Sequence, residues 1–470
     1  MRSHPAPRSP FRVDIVSFED LIGRDLRGAP DESPILLAPT TAVGYRGGEH
    51  LAMHIEEILL SFGVILGGGL VAQFVATFLR IPQMIVLVAV GAVIGPSVLG
   101  LVSNPLDGVG AQLIFTVGVS LILFHGGVGI SLRVISKTAV GLGLLVLPGV
   151  FITALIVALV VAPIFGVSLL VAFMIGAVLA STDPAILIPL FERLGLRPKV
   201  SQTVIAESAF NDVTGTVLVL TLVEVVEAGH FSVLGPVLEF LKELALGGLI
   251  GIGAGLLLAY AVSSTARAGI WDESPGVAIL AVVALVYFSS ETLGGSAYLA
   301  AFVMGLIVGN MQLFRMRQNK RDEEMLEGFV GQVAEIAVLL VFVTLGMNLP
   351  FDALGKYLLG GLVVMAVFIF IARPVTVLAC LLPDRRGEWT RNEILFLSWC
   401  RYTGVIPAAV GSILLARGVE GAEIAVSLVA LAVVTTLLLQ ATTAGYVAQR
   451  LGLIESAESS ETAASMPRNG

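Results

Sequence analysis

The chain has 470 residues, of which 56% are hydrophobic and 13% are charged, and its formal net charge is −8. Soluble domains carry about 25% charged residues, so this chain has too few polar side chains to face water on all sides. The composition therefore excludes an ordinary soluble protein and predicts an all-α polytopic membrane protein.

The ends of the chain differ from its middle. Residues 1–52 contain no apolar run that is long enough for a membrane span or a signal peptide, and we expect a disordered tail there. Residues 453–470 are polar and are expected to form a second disordered tail. Between the tails, about thirteen apolar spans are expected. They are 55–79, 82–102, 110–132, 138–163, 167–192, 200–228, 234–264, 275–290, 295–314, 329–349, 354–382, 392–416 and 421–449.

The connectors between these spans carry unequal positive charge. Fifteen Lys and Arg residues follow odd-numbered spans, whereas only Lys356 and Arg417 follow even-numbered spans. Short cytoplasmic loops are enriched in Lys and Arg. We therefore predict an extracellular N-terminus, a cytoplasmic C-terminus and a location in the cell membrane.

The fifth span contains the sequence AVLASTDPAILIPLFERLG, in which Pro184 follows Asp183 and Pro189 comes five residues later. Proline removes an amide donor and disfavours helical geometry at the preceding residue, so we expect the helix to break near Thr182 and Asp183. Free carbonyls and helix ends at such a break bind cations. The alternative is a plain proline kink with a hydrogen-bonded aspartate.

The sixth span contains ESAFNDVTG, which places two acids in apolar surroundings where charge is costly. Glu207 and Asp212 are five positions apart, which separates them by about 140° around a helix. Asp212 shares one face with Ser208, and Glu207 shares another face with Asn211. The two acids are therefore expected to have different roles, and the face with Asp212 and a hydroxyl group suits a monovalent cation.

Glu207 needs a cationic partner inside the membrane. Arg373, in the segment FIFIARPVTVL, is a second buried charge that has no partner in its own span. An ion pair between Glu207 and Arg373 would reduce the cost of burying both charges. We therefore predict a structural role for this pair.

The twelfth span, ILFLSWCRYTGVIPAAVGSILL, is interrupted by Gly404 and Pro407 much as the fifth span is interrupted by its prolines. The fifth and twelfth spans are an odd number of crossings apart and therefore run in opposite directions. Interrupted segments at matching positions of two inverted halves indicate a transport site at the middle of the membrane. A Gly/Pro kink by itself is common in membrane helices, so the charges carry much of this interpretation.

The combined motifs also resemble a known family. The block VLASTDPAILIPLFERLGLRPKVSQTVIAESAFNDVTGTVLVL closely resembles the sodium/proton antiporters of the NhaP type, within the first cation/proton antiporter family. That family has T-D-P and then E-S-x-x-N-D on the next helix. The segments SAYLAAFVMGLIVGN, EIAVLLVFVTLGMNL and IARPVTV follow in the family's order. The resemblance covers about residues 55–450.

The resemblance implies an ion site at Asp212, with Asp183, Ser208 and Thr182 around it, for Na⁺ or another monovalent cation. Asn211 would help to hold the two interrupted helices together. An Asn-Asp pair at this position, rather than two acids, is the pattern of the electroneutral members of the family.

The resemblance also implies an antiporter fold with inverted repeats, in which the helices form two parts, a core and a dimerisation part. Core helices would lie at about 138–228 and 354–449, and a dimerisation part at about 55–132 and 234–349. These belong to one transmembrane domain, residues 53–452. Transport would proceed by alternating access, and the protein would be a homodimer.

Two residues depart from the family pattern. His125, in LILFHGGVGISL, stands where the family usually has Glu, and a histidine there would alter pH dependence or ion access. The alternative is a hydrogen-bonded histidine near the boundary of the two parts. Arg401 lies two residues before Thr403, where the family usually has an arginine. A helix turns about 200° over that distance, so the role of the family's arginine does not carry over to Arg401.

The sequence therefore predicts a secondary active transporter that exchanges Na⁺ for protons and serves pH homeostasis. A K⁺/H⁺ antiporter of the same family and a cation channel are the alternatives, and Li⁺ is a further possible substrate. An intramembrane protease is disfavoured because no GxGD segment occurs. The expected partners are monovalent cations, protons, the lipid bilayer and a second copy of the chain. We expect no cofactor beyond the transported ions, no catalytic residue and no nucleic-acid partner.

Overall fold

A computed structural model describes residues 47–79, 81–102, 109–228, 234–263, 275–314, 316 and 320–454. The residues from Glu56 onward belong to one unit, to which the following description refers. Within the described ranges the regular structure is helical, apart from an antiparallel bridge between Leu196 and Ile454.

The first half of the chain forms helices α1 to α9. Their bounds are α1 (Gly47–Leu79), α2 (Gln83–Ile94), α3 (Val109–Val128), α4 (Leu132–Val146), α5 (Pro148–Phe165), α6 (Leu169–Ala180), α7 (Pro184–Leu194), α8 (Pro198–Ala228) and α9 (Leu234–Val262). Helices α4 and α5 form one long apolar segment that bends at Leu147, because Pro148 opens the second half. Helices α6 and α7 likewise form one segment with an interruption.

The second half forms helices α10 to α18. Their bounds are α10 (Pro275–Leu293), α11 (Ala297–Gly309), α12 (Lys320–Met347), α13 (Phe351–Val367), α14 (Arg373–Leu381), α15 (Arg391–Trp399), α16 (Val405–Ala416), α17 (Ala422–Thr435) and α18 (Thr442–Arg450). A 3₁₀ turn, Met311–Phe314, follows α11. Two π-helical stretches, Phe368–Ala372 and Thr436–Ala441, join α13 to α14 and α17 to α18 into continuous spans.

The all-helical membrane architecture expected from the sequence is confirmed. In the described part, eight helical segments are long and apolar enough to cross a membrane, and five shorter apolar helices accompany them. Some predicted bounds were wrong. The second span is helical only over Gln83–Ile94, because the chain turns at Gly95, where a Cβ would lie 2.8 Å from the Met347 Cα. The ninth span ends as an α-helix at Gly309 rather than at Phe314.

Regular structure extends into both segments that the sequence assigns to tails. Helix α1 begins at Gly47, so residues 47–52 are helical, while residues 1–46 lie outside the described part. Leu453 is buried, and its carbonyl accepts a hydrogen bond from the Arg197 amide at 2.9 Å. Residues 453 and 454 therefore belong to the folded domain. The prediction for residues 455–470 falls outside the described residues.

Buried apolar side chains form three clusters in the described part. One cluster has all its buried members within residues 154–223 and 364–432. Another has all its buried members within residues 121–330, on α3, on α9 to α12 and on the 3₁₀ turn after α11. The largest cluster contains residues from both groups of helices and joins them. The role of the second group in dimerisation stays a prediction.

Candidate ion-binding site

The first interruption lies where the sequence predicts it, because Pro184 occupies the first position of α7. Ser181, Thr182 and Asp183 connect α6 to α7 without helical structure. Asp183 caps α7, since its Oδ1 accepts a hydrogen bond from the Ala185 amide at 2.8 Å. The predicted helix break is therefore confirmed, and its acid stabilises the start of the second half-helix.

The second interruption lies between Trp399, at the end of α15, and Val405, at the start of α16. Asp183 joins it to the first. Its Oδ2 accepts a hydrogen bond from the Val405 amide at 2.8 Å, and its own amide donates to the Tyr402 carbonyl at 3.0 Å. Gly404 makes this approach possible, because a Cβ at that position would collide with the Asp183 carboxylate.

Asp212 lies on α8 beside the first interruption and is buried. Its Oδ1 accepts a hydrogen bond from the Ser181 hydroxyl. Its Oδ2 is buried and has no hydrogen-bond partner in the described part of the chain. A buried carboxylate oxygen without a protein donor is costly unless a proton or a cation neutralises the group.

A network of three polar side chains holds α8 against the first interruption. The Thr182 amide donates to Asn211 Oδ1 at 3.2 Å, and Asn211 Nδ2 donates to Thr182 Oγ1 at 2.8 Å. The Thr182 hydroxyl donates to the Ser208 hydroxyl at 2.8 Å. Asn211 thus connects the first interruption to α8, and no hydrogen bond in the described part joins it to the second interruption, so its implied role in holding the two interrupted helices together stays a prediction. Ser208, however, contacts Thr182, and the hydroxyl that reaches Asp212 belongs to Ser181.

Glu207 faces away from Asp212 and contacts Arg373. The Arg373 Nη1 and Nη2 atoms donate to the two Glu207 carboxylate oxygens at 2.5 and 2.9 Å. Arg373 Nε also donates to the Leu397 carbonyl at 2.9 Å, just before the second interruption. Both side chains are buried, at 3% and 1% exposure. The structure thus places the two residues in the bidentate pair that the sequence suggests.

His125 lies apart from the Asp212 network. Its Nε2 is 3.3 Å from Glu192 Oε1, on the last turns of α7. Together with Gln83, Arg193 and Glu335 it lines a cavity of about 220 Å³ between α2, α3, α7 and α12. In the described part, no hydrogen bond joins His125 to Asp212 or Ser181.

Arg401 lies inside the second interruption and is buried. Its Nη2 donates to the carbonyl of Ala180, the last residue of α6. The guanidinium carbon lies 5.1 Å from the centre of the Phe368 ring. The structure therefore brings Arg401 to the same pair of interruptions as Asp183, although the sequence left its role open.

The site thus combines carboxylate and hydroxyl oxygens at two helix breaks, which are ligands that a hard monovalent cation prefers. The described residues contain no cluster of three or more His, Cys, Asp or Glu side chains that could hold a resident metal ion. Sequence reasoning missed Ser181, although it directly precedes Thr182 and Asp183. Its position on the non-helical segment, which angular arguments do not cover, explains why it was missed.

The comparison with known families identifies one match. A model of the transmembrane sodium/hydrogen exchangers matches residues 58–450. A potassium/proton antiporter, NhaP, of Alkalimonas amylolytica is 30% identical over 360 residues, which are 75% of this chain and 59% of that protein. The chain thus spans less than two thirds of the length of that relative. A probable sodium/proton antiporter of Methanocaldococcus jannaschii is 27% identical over 77% of this chain and 85% of its own length.

The fold is also found in a solved structure. The sodium/proton antiporter MjNhaP1 from Methanocaldococcus jannaschii superimposes with a TM-score of 0.69 at 25% sequence identity. The superposition covers 86% of this chain and 99% of that one. The architecture of the helices around the two interruptions is therefore shared along nearly the whole length of that antiporter.

Proposed function

The chain belongs to the sodium/hydrogen exchanger family, and from this premise we propose that it exchanges a monovalent cation for protons across a membrane. The similar proteins are named as both Na⁺/H⁺ and K⁺/H⁺ antiporters. We take Na⁺ as the substrate and K⁺ as the alternative, with Li⁺ as a further candidate. The family consists of transporters, so we propose neither a catalytic residue nor a cofactor beyond the transported ions.

The environment of Asp212 is the observation that carries this proposal. One carboxylate oxygen accepts a hydrogen bond from Ser181, and the other is buried without a partner in the described part. A proton and a cation would each satisfy this oxygen and neutralise the carboxylate, but they exclude one another. A single group that binds either ligand in turn couples their movements, since each ligand must leave before the other binds.

The buried charges support an exchange of one cation for one proton. Five charged side chains are buried around the interruptions: Asp183, Glu207, Asp212, Arg373 and Arg401. Three are acids and two are arginines, so the fully ionised group has a formal charge of −1. One bound proton or one bound monovalent cation brings this charge to zero, which suits apolar surroundings. We therefore propose electroneutral exchange.

Alternating access requires the site to face each side of the membrane in turn. The cluster within residues 154–223 and 364–432 includes residues that flank the interruptions, such as Leu179 and Ile406, and is a candidate moving core. The cluster within residues 121–330 is a candidate scaffold. We propose that α1, together with the scaffold, also forms a homodimer interface. Phe74 and Phe78 on α1 are 75% and 78% exposed, so an apolar face there is free to meet lipid or a second copy.

The membrane placement in this proposal follows the charge of the connectors. We place the protein in the cell membrane, with the Arg- and Lys-rich connectors and the C-terminus in the cytoplasm. In this orientation the cavity lined by His125 and Arg193 lies beside the cytoplasmic end of α7. Exchange of external Na⁺ or K⁺ for internal protons, or the reverse, would serve pH homeostasis.

The proposal is tested with purified protein in sealed proteoliposomes that contain a pH-sensitive dye. We expect Na⁺ to dissipate an imposed proton gradient with wild-type protein, and D212N to abolish this exchange while remaining folded. The matched control is S412A, because Ser412 is exposed and, among the described residues, bonds only to the Ala408 carbonyl of its own helix. Unchanged exchange by D212N would refute the assignment of Asp212.

The same vesicles distinguish the remaining alternatives. A series of Na⁺, K⁺ and Li⁺ gives the cation preference directly. Electroneutral exchange predicts the same rate with and without an imposed membrane potential. Cation flux that persists after the proton gradient is collapsed, at a rate proportional to the cation gradient, would instead support the channel alternative.

A further inference from the structure

Arg401 is a buried cation whose role the exchange mechanism has not used. Arg373 is neutralised by two bonds to Glu207, whereas no ion pair in the described part includes Arg401. Its Nε atom is also buried without a hydrogen-bond partner there. An unpaired buried charge with an unsatisfied donor destabilises a protein, so stability alone does not account for this residue.

The contacts of Arg401 fix one end of a half-helix. The last carbonyls of a helix have no partners within the helix and carry partial negative charge. Arg401 donates to the Ala180 carbonyl at this end of α6, and its guanidinium carbon stacks over the Phe368 ring, 5.1 Å from the ring centre. The arginine therefore restrains the backbone where α6 stops.

This restraint acts directly next to the proposed carrier. Ser181 follows Ala180, and its hydroxyl donates to Asp212 Oδ1. Two further bonds join the segments, from the Asp183 amide to the Tyr402 carbonyl and from the Val405 amide to Asp183. Among these three links, the link through Arg401 is the one whose donor carries a full charge.

We propose that Arg401 is a positioning residue of the cation site, which holds the end of α6 so that Ser181 stays bonded to Asp212. The inference rests on the proposed exchange function. Because Arg401 bonds to Ala180, directly before the Ser181 that bonds to Asp212, its unpaired positive charge lies near the site and also weakens the binding of a cation there, since like charges repel. It thereby permits release of the cation in each cycle. A lysine would keep the charge, while a glutamine would keep a donor without charge.

The test compares wild-type protein, R401Q and R401K in proteoliposomes, with the apparent KM for Na⁺ and the maximal rate measured separately. We expect the KM of R401Q to fall about fivefold or more, because a full repulsive charge is removed. The maximal rate of R401Q should fall as well, because a tightly held cation leaves slowly. R401K should keep a KM within about twofold of wild type, since its charge is retained.

A double-mutant cycle with S181A tests the positioning part. If Arg401 acts through Ser181, the KM change caused by S181A differs by about threefold or more between the wild-type and R401M backgrounds, because methionine removes the donor as well as the charge. Equal changes in the two backgrounds would overturn the positioning role. A lower melting temperature of R401Q with an unchanged KM would show a merely structural role and would overturn the inference.

Two results keep this test separate from the test of exchange itself. Wild-type vesicles without cation-dependent proton movement would refute the proposed function, whereas active wild type with unchanged R401Q refutes only the role of Arg401. If R401Q does not fold, R401K decides: folded R401K with a KM more than about fivefold from wild type would overturn the inference. R401M, which removes both charge and donor, provides a second neutral variant.

Discussion

Loss of the Glu207 charge should destabilise the protein strongly, because it leaves Arg373 buried and unpaired. The two side chains are only 3% and 1% exposed, and two hydrogen bonds of 2.5 and 2.9 Å join them. Breaking a buried pair by removing one partner costs about 3–5 kcal/mol. The Leu397 carbonyl satisfies one Arg373 donor and does not neutralise the charge. We therefore expect E207Q to lose about 3–5 kcal/mol of unfolding free energy.

The double variant E207Q/R373M separates the cost of an unpaired charge from the value of the pair. Replacing a buried ion pair by neutral side chains is often nearly neutral. The double variant should therefore lose much less stability than E207Q or R373M alone. The measurement is thermal unfolding of detergent-purified protein, with cation KM determined on the same samples.

The matched control for this series is E335Q. Glu335 is an exposed acid on α12 that bonds to Gln73 at 2.6 Å, and loss of its charge should change stability by less than about 1 kcal/mol. A stable E207Q protein with a greatly weakened cation affinity would refute the structural role. So would a double variant whose loss equals the sum of the two single losses.

Two further predictions concern the contact between the interruptions. Gly404→Ala should lower the free energy of unfolding by about 1–3 kcal/mol and reduce exchange, because the new Cβ collides with the Asp183 carboxylate. The control is Gly143→Ala on α4, where a Cβ meets no atom within 4 Å. It should leave stability and exchange unchanged or slightly improved. A thermal scan showing equal effects of the two alanines would contradict this. Asp183→Asn turns an amide NH₂ group toward a backbone N–H, so the free energy of unfolding should fall by about 1–3 kcal/mol and the melting temperature should fall with it. D212N should have the melting temperature of the wild-type protein. Equal melting temperatures of the two asparagine variants would show that Asp183 does not join the interruptions.

The order and type of the helices could be predicted from the sequence with few errors. Long apolar runs specify membrane helices because the backbone must satisfy its own hydrogen bonds in lipid. Prolines placed the first break correctly, since their effect on backbone geometry is local. The errors occurred at helix ends such as Ile94 and Gly309. Their cause is tertiary, because the turn at Gly95 depends on its contact with Met347 in another helix.

The candidate site shows the same division between local and long-range information. The 140° separation of Glu207 and Asp212 follows from helix geometry alone. In the structure the two acids have different partners, since Glu207 bonds to Arg373 and Asp212 bonds to Ser181. The assignment of Ser208 to Asp212 also followed from helix geometry, but Thr182 competes for that hydroxyl across the interhelical contact. Ser181 takes its place, because the chain leaves the helix at Ala180 and its direction there is set by neighbouring segments.

The sequence by itself determined that this chain is a bundle of membrane helices with two interruptions, and which acids had to be separated. These features depend on apolar length, on proline and on helical periodicity, all of which act within one segment. Only the tertiary structure decided that Asp183 bonds across to Val405, that Ser181 binds Asp212 and that Arg401 holds the end of α6. Such contacts join residues about 30 to more than 200 positions apart, and their geometry depends on how whole helices pack.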